Sequence, residues 1–292
     1  MRKLPGKIAA INDLAGYGRC SLAVMLPAIS ACGYQCCPVP TAVLSTSNDF
    51  CLPFVHELTH ELPGYIEHWE QLGLGFNGIY SGYLSSADQI SSVLRFLSSF
   101  RTKDTVLLVD PVLGDQGRIS PRCSKELMSQ YKLLIQQADI ITPNLTEALY
   151  LAGKPYEACP AEETIDAAAQ TLLSAGPGNV IITGIKKDAL CCTYLYEPHE
   201  KHIIFTPYCP QERTGAGDLF ASILLSKYLD GFSLKDAAEK ASVFLSTVLQ
   251  YTYEQKVPRN QGICFEPFLN LLSPYGNPHS LNVKEASACE TL

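Results

Sequence analysis

The sequence predicts a single doubly wound α/β domain, with a mostly parallel central sheet and helices on both faces. Three observations lead there. Short β-branched runs alternate with helical patterns along most of the chain. Several runs, such as VLLV at 106–109 and VIIT at 180–183, are apolar on both faces, as strands covered from both sides are. The chain has 292 residues, 47% of them apolar and 17% charged, a composition that excludes general disorder. Length divided by roughly 150 suggests two domains, but one α/β domain of this size is common.

The expected strands, in order, are 7–12, 34–39, 78–83, 105–110, 139–142, 179–183, 189–196 and 201–206. The last two break the alternation. They read as an antiparallel hairpin turning at Glu197-Pro198-His199-Glu200, at an edge of the sheet. Between strands, Ile90, Val93, Leu94 and Leu97 mark one helical face. Leu219, Phe220, Ile223 and Leu224 mark another, with Gly231 at the position of a C-terminal cap. Ser233 and Asp236 open the next helix as a capping-box-like pair, and it runs to about Gln250. We expect residues 1–273 to form the domain. Residues 274–292, rich in Pro, Gly, Asn and Ser at their start, are expected to be a flexible tail.

The formal charge is −7, from 22 Lys and Arg against 29 Asp and Glu, and no basic run occurs. Such a chain repels a phosphate backbone, so nucleic acid is not an expected partner. No run reaches the roughly 18 apolar residues of a membrane span. The start, MRKLPGKIAAIND, lacks the apolar core of a signal peptide, so the cytoplasm is the expected location. There the twelve cysteines should be thiols. Cys36-Cys37 and Cys191-Cys192 lie in β-like runs and read as small buried apolar side chains, and a metal cluster of Cys32, Cys36 and Cys37 has no histidine at ligand spacing.

Some patterns mislead. Gly73 to Gly78 matches G-x-G-x-x-G, but a helical segment precedes it and a strand follows, the reverse of the dinucleotide fingerprint. It reads as a helix-to-strand loop. Neither a P-loop nor a G-x-S-x-G elbow is present. Asn144-Leu145-Thr146 is a glycosylation sequon in letters alone, and His56, His60 and His68 read as solvated face residues rather than a metal set.

Three segments carry chemistry. Arg213-Thr214-Gly215-Ala216-Gly217-Asp218 places bare backbone at the opening of a helix. The first N–H groups of a helix lack internal partners and carry partial positive charge, so they can cradle a phosphate. Asp218 follows in the first turn, where a carboxylate can take a proton from a hydroxyl beside that phosphate. Asp110-Pro111-Val112-Leu113-Gly114-Asp115 follows the VLLV strand. Ligands gather at such strand ends, and two carboxylates there suit hydrated Mg²⁺. Thr142-Pro143-Asn144-Leu145-Thr146-Glu147 follows another strand. Asn144 is a good N-cap, and Glu147 either completes a capping box or faces the metal.

Together with A-I-N-D-L-A-G-Y-G-R-C-S (10–21), T-A-V-L-S-T-S-N (41–48) and Y-S-G-Y-L-S-S-A-D-Q (80–89), these segments resemble the pyridoxal/pyridoxamine kinase family of the ribokinase-like superfamily. The resemblance spans roughly residues 6–250. It implies a ribokinase-like fold and transfer of the γ-phosphate of ATP to the 5′-hydroxymethyl group of pyridoxal, pyridoxamine or pyridoxine. It implies Asp218 as catalytic base and the backbone of Gly215, Ala216 and Gly217 as anion hole. Asp115 and Glu147 match residues around Mg²⁺ and the phosphates, acting partly through water. Asp110, Asn144, Thr183 and Thr214 match the ATP site, with Arg213 adjacent. Tyr83 matches a wall of the vitamin pocket. The family also implies a homodimer and allows a monovalent cation.

Two positions depart from the family's pattern. Asn12 stands where many pyridoxal kinases have Ser near the pyridine ring, and Ser47 stands where they have His. Both are expected to face the substrate. They leave the preferred vitamer open and keep hydroxymethylpyrimidine as an alternative substrate. A non-catalytic protein binding vitamin B6 or a nucleotide is a further alternative, against which the retained Asp218 and the glycine pair argue.

Overall fold

Helix and strand alternate from the first described residues. The computed structural model describes residues 4–274, apart from 48, 122 and 212. β1 (Lys7–Ala15) leads to α1 (Leu22–Ala31), β2 (Gln35–Leu44), β3 (Val55–Glu57) and α2 (Leu62–Gln71). β4 (Gly78–Ser81), α3 (Ala87–Phe100) and β5 (Val106–Val109) follow, then a small hairpin of β6 (Gly114–Asp115) and β7 (Arg118–Ile119), and α4 (Lys125–Ile135). β8 (Ile140–Ile141), α5 (Leu145–Leu151), α6 (Glu162–Ser174) and β9 (Asn179–Lys187) continue the pattern. β10 (Leu190–Tyr196) and β11 (Lys201–Pro207) precede α7 (Ala216–Leu229) and α8 (Leu234–Glu254).

Nine strands form one sheet in the order β11-β10-β9-β8-β5-β4-β1-β2-β3. Pairing is parallel from β2 through to β9, while β10, β11 and β3 are antiparallel. The fold is thus α/β with a mostly parallel sheet, as expected, and the 189–206 run is the edge hairpin. β3 and the β6–β7 hairpin were not anticipated, because two or three residues are too few to carry an alternation signal. β2 also runs past the expected end, through Pro38 and Pro40. Those prolines share one side of the strand, and β3 pairs only with Ala42, Val43 and Leu44. Their missing N–H groups therefore cost the sheet little.

Side-chain alternation divides the interior into two layers. Ala9, Ile11, Leu107 and Val109 face a core built with α2 to α6. Ile8, Ala10 and Leu108 face the other, built with α1, α7 and α8. Cys192 is buried in β10, and burial pushes the half-buried Cys36 thiol up to about 12, so both pack as small apolar groups. Helix ends follow local chemistry. Ser233 accepts from the Asp236 N–H at the start of α8, and Gly231 takes φ 93° just after α7. Residues 73–77 link α2 to β4, and no helix follows them. Among the described residues no helix is long and apolar enough to cross a membrane. Of the expected tail 274–292, residues 275–292 lie outside the described residues, as does Asn48.

The chain turns one way from β1 to β2, then returns to add β4 on the other side of β1. Such a switch point opens a crevice at the carboxyl ends of the strands. Asn12 lies on β1 just past its last pairing with β4, and its Oδ1 accepts from the Tyr83 N–H just beyond β4, at 3.0 Å. One side chain thus ties together the two strands that flank the crevice.

Candidate active site

The opening of α7 lies over this crevice, and its two glycines have different tasks. Gly215 is the N-cap, with φ 86°. A Cβ there would stand 2.3 Å from the Arg19 carbonyl oxygen, so both the conformation and the close approach demand glycine. Gly217 is exposed, and a Cβ on it would lie 3.6 Å from Asp110 Oδ2, an ordinary contact. Its value is bare backbone. The Ala216 N–H reaches back to the Arg213 carbonyl at 3.3 Å. The N–H groups of Gly217 and Asp218 lie in the first turn, where a helix offers no internal acceptor.

Asp218 is held on both oxygens. Asn12 Nδ2 donates to Oδ1 at 3.1 Å, and the Ser21 N–H donates to Oδ2 at 2.7 Å. A carboxylate has about four acceptor positions, so two remain for a substrate. Burial pushes Asp218 up to about 6, and the nearby Asp13 charge adds to the rise, while the bonds from Ser21 and Asn12 oppose it. The group is therefore ionised at neutral pH yet basic enough to accept a proton.

Asp110, at the end of β5, is buried beside this group. Tyr80 donates its hydroxyl to Asp110 Oδ2 at 3.3 Å. Burial, then repulsion from Asp218, pushes Asp110 up to about 7. The Asp110 charge also reaches Glu147, and burial, then that charge, raise Glu147 well above the usual carboxylate range. Its Oε1 accepts from the N–H groups of Leu113 and Gly114 at 2.9 and 3.3 Å, and its Oε2 accepts from the Asn144 N–H at 2.9 Å. Asn144 Oδ1 accepts from the Glu147 N–H, completing a capping box, and Nδ2 donates to the Gly114 carbonyl. Asn144 also bridges Thr183 on β9, whose N–H donates to the Pro143 carbonyl.

The structure brings Asp218, Gly215, Ala216, Gly217, Asp110, Asn12, Glu147, Asn144 and Thr183 together along the strand ends. Asp115 stands apart, exposed on β6, its Oδ1 accepting from the Gln116 N–H. Asp110, Asp115 and Glu147 do not converge on one point among the described residues. The donor set nevertheless fits a hydrated divalent cation. Three carboxylates, Asp110, Asp218 and Glu147, have their charge disfavoured by burial, and Glu147 is too fully engaged with backbone N–H groups for more than contact through water.

Thr214 donates its hydroxyl to Asp49, which brings Asp49 against the cradle. Arg213 is buried, with Nη2 donating to Gln211 Oε1, and its Nε and Nη1 have no partner among the described residues. Ser47 is buried against Gly18, its hydroxyl likewise without a partner there. Tyr83 is half-buried at the crevice wall. Asn12, expected to face the substrate, spends its amide within the protein, on Asp218, Asp13 and Tyr83.

Several neighbours were missed. Asp13, Ser21 and Tyr80 touch the acids directly, and no spacing rule connects a strand carboxylate to a serine eight residues on. The segment after α8 also returns here. The Ile263 N–H donates to the Thr214 carbonyl, and Gly262 bridges Arg19. Asp49, Arg259 and Asn260 line a cavity of about 330 Å³ beside it. The Arg259 charge reaches Asp115 and lowers its proton affinity, against the larger effect of burial.

The fold and the strand-end constellation define a small-molecule kinase with ribokinase-like architecture. The chain belongs to the phosphomethylpyrimidine kinase family, whose model matches residues 26–263. It is 30% identical over 203 residues to pyridoxal kinase PdxY of Actinobacillus pleuropneumoniae, covering 66% of this chain and 69% of that protein. A protein of the phosphomethylpyrimidine kinase type from Bacteroides thetaiotaomicron superposes with a TM-score of 0.89 at 36% identity, covering 93% of this chain and 95% of that one. A second crystal form of it, with pyridoxal, gives 0.87 and 37%, covering 92% and 96%.

The glycine pair makes a separable prediction. Gly217→Ala should keep the parent's thermal midpoint but lower kcat/KM for the nucleotide about tenfold or more, because it crowds a phosphate rather than the fold. Gly215→Ala should lower both. Asp110 gives a pH test. Its folded form holds a proton more tightly than the unfolded chain, so its burial costs stability that grows as pH rises from 3.8 to about 7. Asp110→Asn should therefore raise urea stability at pH 8 by about 1–3 kcal/mol, with the gain shrinking toward pH 5.

Proposed function

We propose that this chain phosphorylates the 5′-hydroxymethyl group of a vitamin B6 vitamer, pyridoxal, pyridoxamine or pyridoxine, with ATP as donor. The observation that carries the reading is Asp218, held on both oxygens by Asn12 and Ser21 at the open end of α7. The pyridoxal held by the Bacteroides protein and the similarity to the Actinobacillus pyridoxal kinase support the choice of substrate.

Phosphoryl transfer needs positioning and charge neutralisation more than covalent chemistry. The N–H groups at the opening of α7 hold the terminal phosphate, and Thr214 and Arg213 flank it. The vitamer lies along Tyr83, with Ser47 at the far wall, and its hydroxymethyl oxygen points to Asp218. That oxygen forms a bond to the γ-phosphorus as the bond to the β-phosphate oxygen breaks. Asp218 takes the alcohol's proton, and ADP leaves with the electron pair of the broken bond. Backbone donors stabilise charge on the phosphoryl oxygens as it develops. Mg²⁺, held near Asp110 and, through water, by Asp115 and Glu147, would neutralise phosphate charge. Asn144 and Thr183 line the nucleotide side. A monovalent cation, a homodimer, a cytoplasmic location and a single domain over residues 1–273 belong to the same reading.

A second reading is kept by one observation. Asn12 and Ser47 replace residues usual in pyridoxal kinases, and the family model is that of phosphomethylpyrimidine kinases. Hydroxymethylpyrimidine also carries a primary alcohol on a flat ring, so the same geometry would act on it.

Incubation with Mg-ATP and each of the three vitamers or hydroxymethylpyrimidine, with product measured, separates the readings. We expect turnover of at least one vitamer, rising with pH through about 6 as Asp218 ionises. Turnover of the pyrimidine alone supports the second reading. Asp218→Asn should lower kcat by about 10² or more. Tight binding of a vitamer without turnover would leave a binding protein.

A further inference from the structure

We propose that Asp13 and Ser21 form a positioning pair for the transfer step, with Asp13 anchoring Ser21 in the left-handed conformation that aims its N–H at Asp218. The inference rests on the reading of Asp218 as the base.

The pair begins with an irregularity in the sheet. Asn12 pairs with Pro40 but Leu14 pairs with Val43, so β2 carries an extra residue opposite Asp13. Asp13 is only 7% exposed. Its Oδ1 accepts from Ser21 Oγ at 2.6 Å, a short bond. Ser21 is 8% exposed and has φ 52° and ψ −134°. A side chain other than glycine's rarely adopts that backbone without support. Glycine would reach it freely, yet the chain carries serine, and the serine hydroxyl is the atom that Asp13 holds. Once held, the residue donates its N–H to Asp218 Oδ2 at 2.7 Å. Two elements far apart in sequence thus meet through one residue with two bonds, one to each acid.

The same pair sets the charge around the base. Asp13 from β1 and Asp110 beyond β5 bring carboxylates toward Asp218. Cys20, ahead of α1, and Tyr80, on β4, also face it, but burial raises both so far that they stay neutral. Asn12 and Ser21 contribute only neutral donors. Burial raises Asp13 itself, and the Ser21 hydroxyl works against that rise. Asp13 is a buried carboxyl group one residue removed from the base, which neither substrate need touch.

Three variants test this. Asp13→Asn keeps an acceptor for the Ser21 hydroxyl, and its kcat should stay within about threefold of the parent's. Asp13→Ala removes that acceptor, and its kcat should fall about tenfold with KM for both substrates within about twofold of the parent. Ser21→Gly keeps the N–H and accepts the backbone conformation but loses the anchor, and it should show the same split. A purely structural role would lower stability and leave kcat near the parent's value. If Asp13→Ala and Ser21→Gly keep the parent's kcat while Asp218→Asn is inactive, the pairing is wrong and the base assignment stands. If Asp218→Asn is active, the base assignment itself fails. Should Asp13→Ala not fold, the kcat of Ser21→Gly decides alone.

Discussion

A carboxylate that must be charged, largely shielded from water and aimed at one point needs donors on both oxygens. Asp218 has them, from the Asn12 amide and the Ser21 N–H, and much of the molecule is arranged to supply them. β1 delivers Asn12 to the switch point of the sheet, where Tyr83 fixes its amide oxygen. The loop before α1 delivers Ser21. α7 delivers Asp218 beside its own unpaired N–H groups because Gly215 alone fits against the Arg19 carbonyl. Gly82 is required for a similar reason, since a Cβ there would lie 2.3 Å from Asn12 Nδ2.

The site gathers more negative charge than local cations balance. Asp110, Asp218 and Glu147 all have their charged forms disfavoured, mainly by burial and further by a neighbouring acid. This is the trade between stability and activity expected of a centre that handles polyphosphate with a divalent cation. Glu147 shows how the chain limits the cost. Three backbone N–H groups satisfy its oxygens, and the bonds that steady the acid also close the 113–114 turn and cap α5. Structural and chemical duties fall on the same carboxylate.

Much of the fold was legible because its signals are local. Apolar runs marked the buried strands, and Gly231 and Ser233 marked helix ends. The G-x-G-x-x-G decoy was resolved by the order of its neighbours. β3 and the β6–β7 hairpin are too short to show periodicity. At the site, Gly215 to Asp218 could be read because a glycine pair and an acid occupy one helix opening. Asp13, Ser21 and Tyr80 could not, since their roles depend on contacts between segments. Ser21 has a further reason to escape notice, because positive φ is expected of glycine. Asn12 was singled out for facing a substrate, whereas its amide is engaged by Asp218 and by backbone. Arg259 and Asp49 reach the site from segments with no motif of their own.

The central claim is geometric, that the opening of α7 holds a terminal phosphate within reach of the alcohol bound to Asp218. A crystal structure with a non-hydrolysable ATP analogue, Mg²⁺ and pyridoxal tests it most directly. The account requires the γ-phosphate on the N–H groups of Gly217 and Asp218 and the 5′-hydroxyl about 2.6–3.2 Å from an Asp218 oxygen. A γ-phosphate bound elsewhere, or an Asp218 carboxylate still turned wholly to Asn12 and Ser21 with the hydroxyl out of reach, would contradict it.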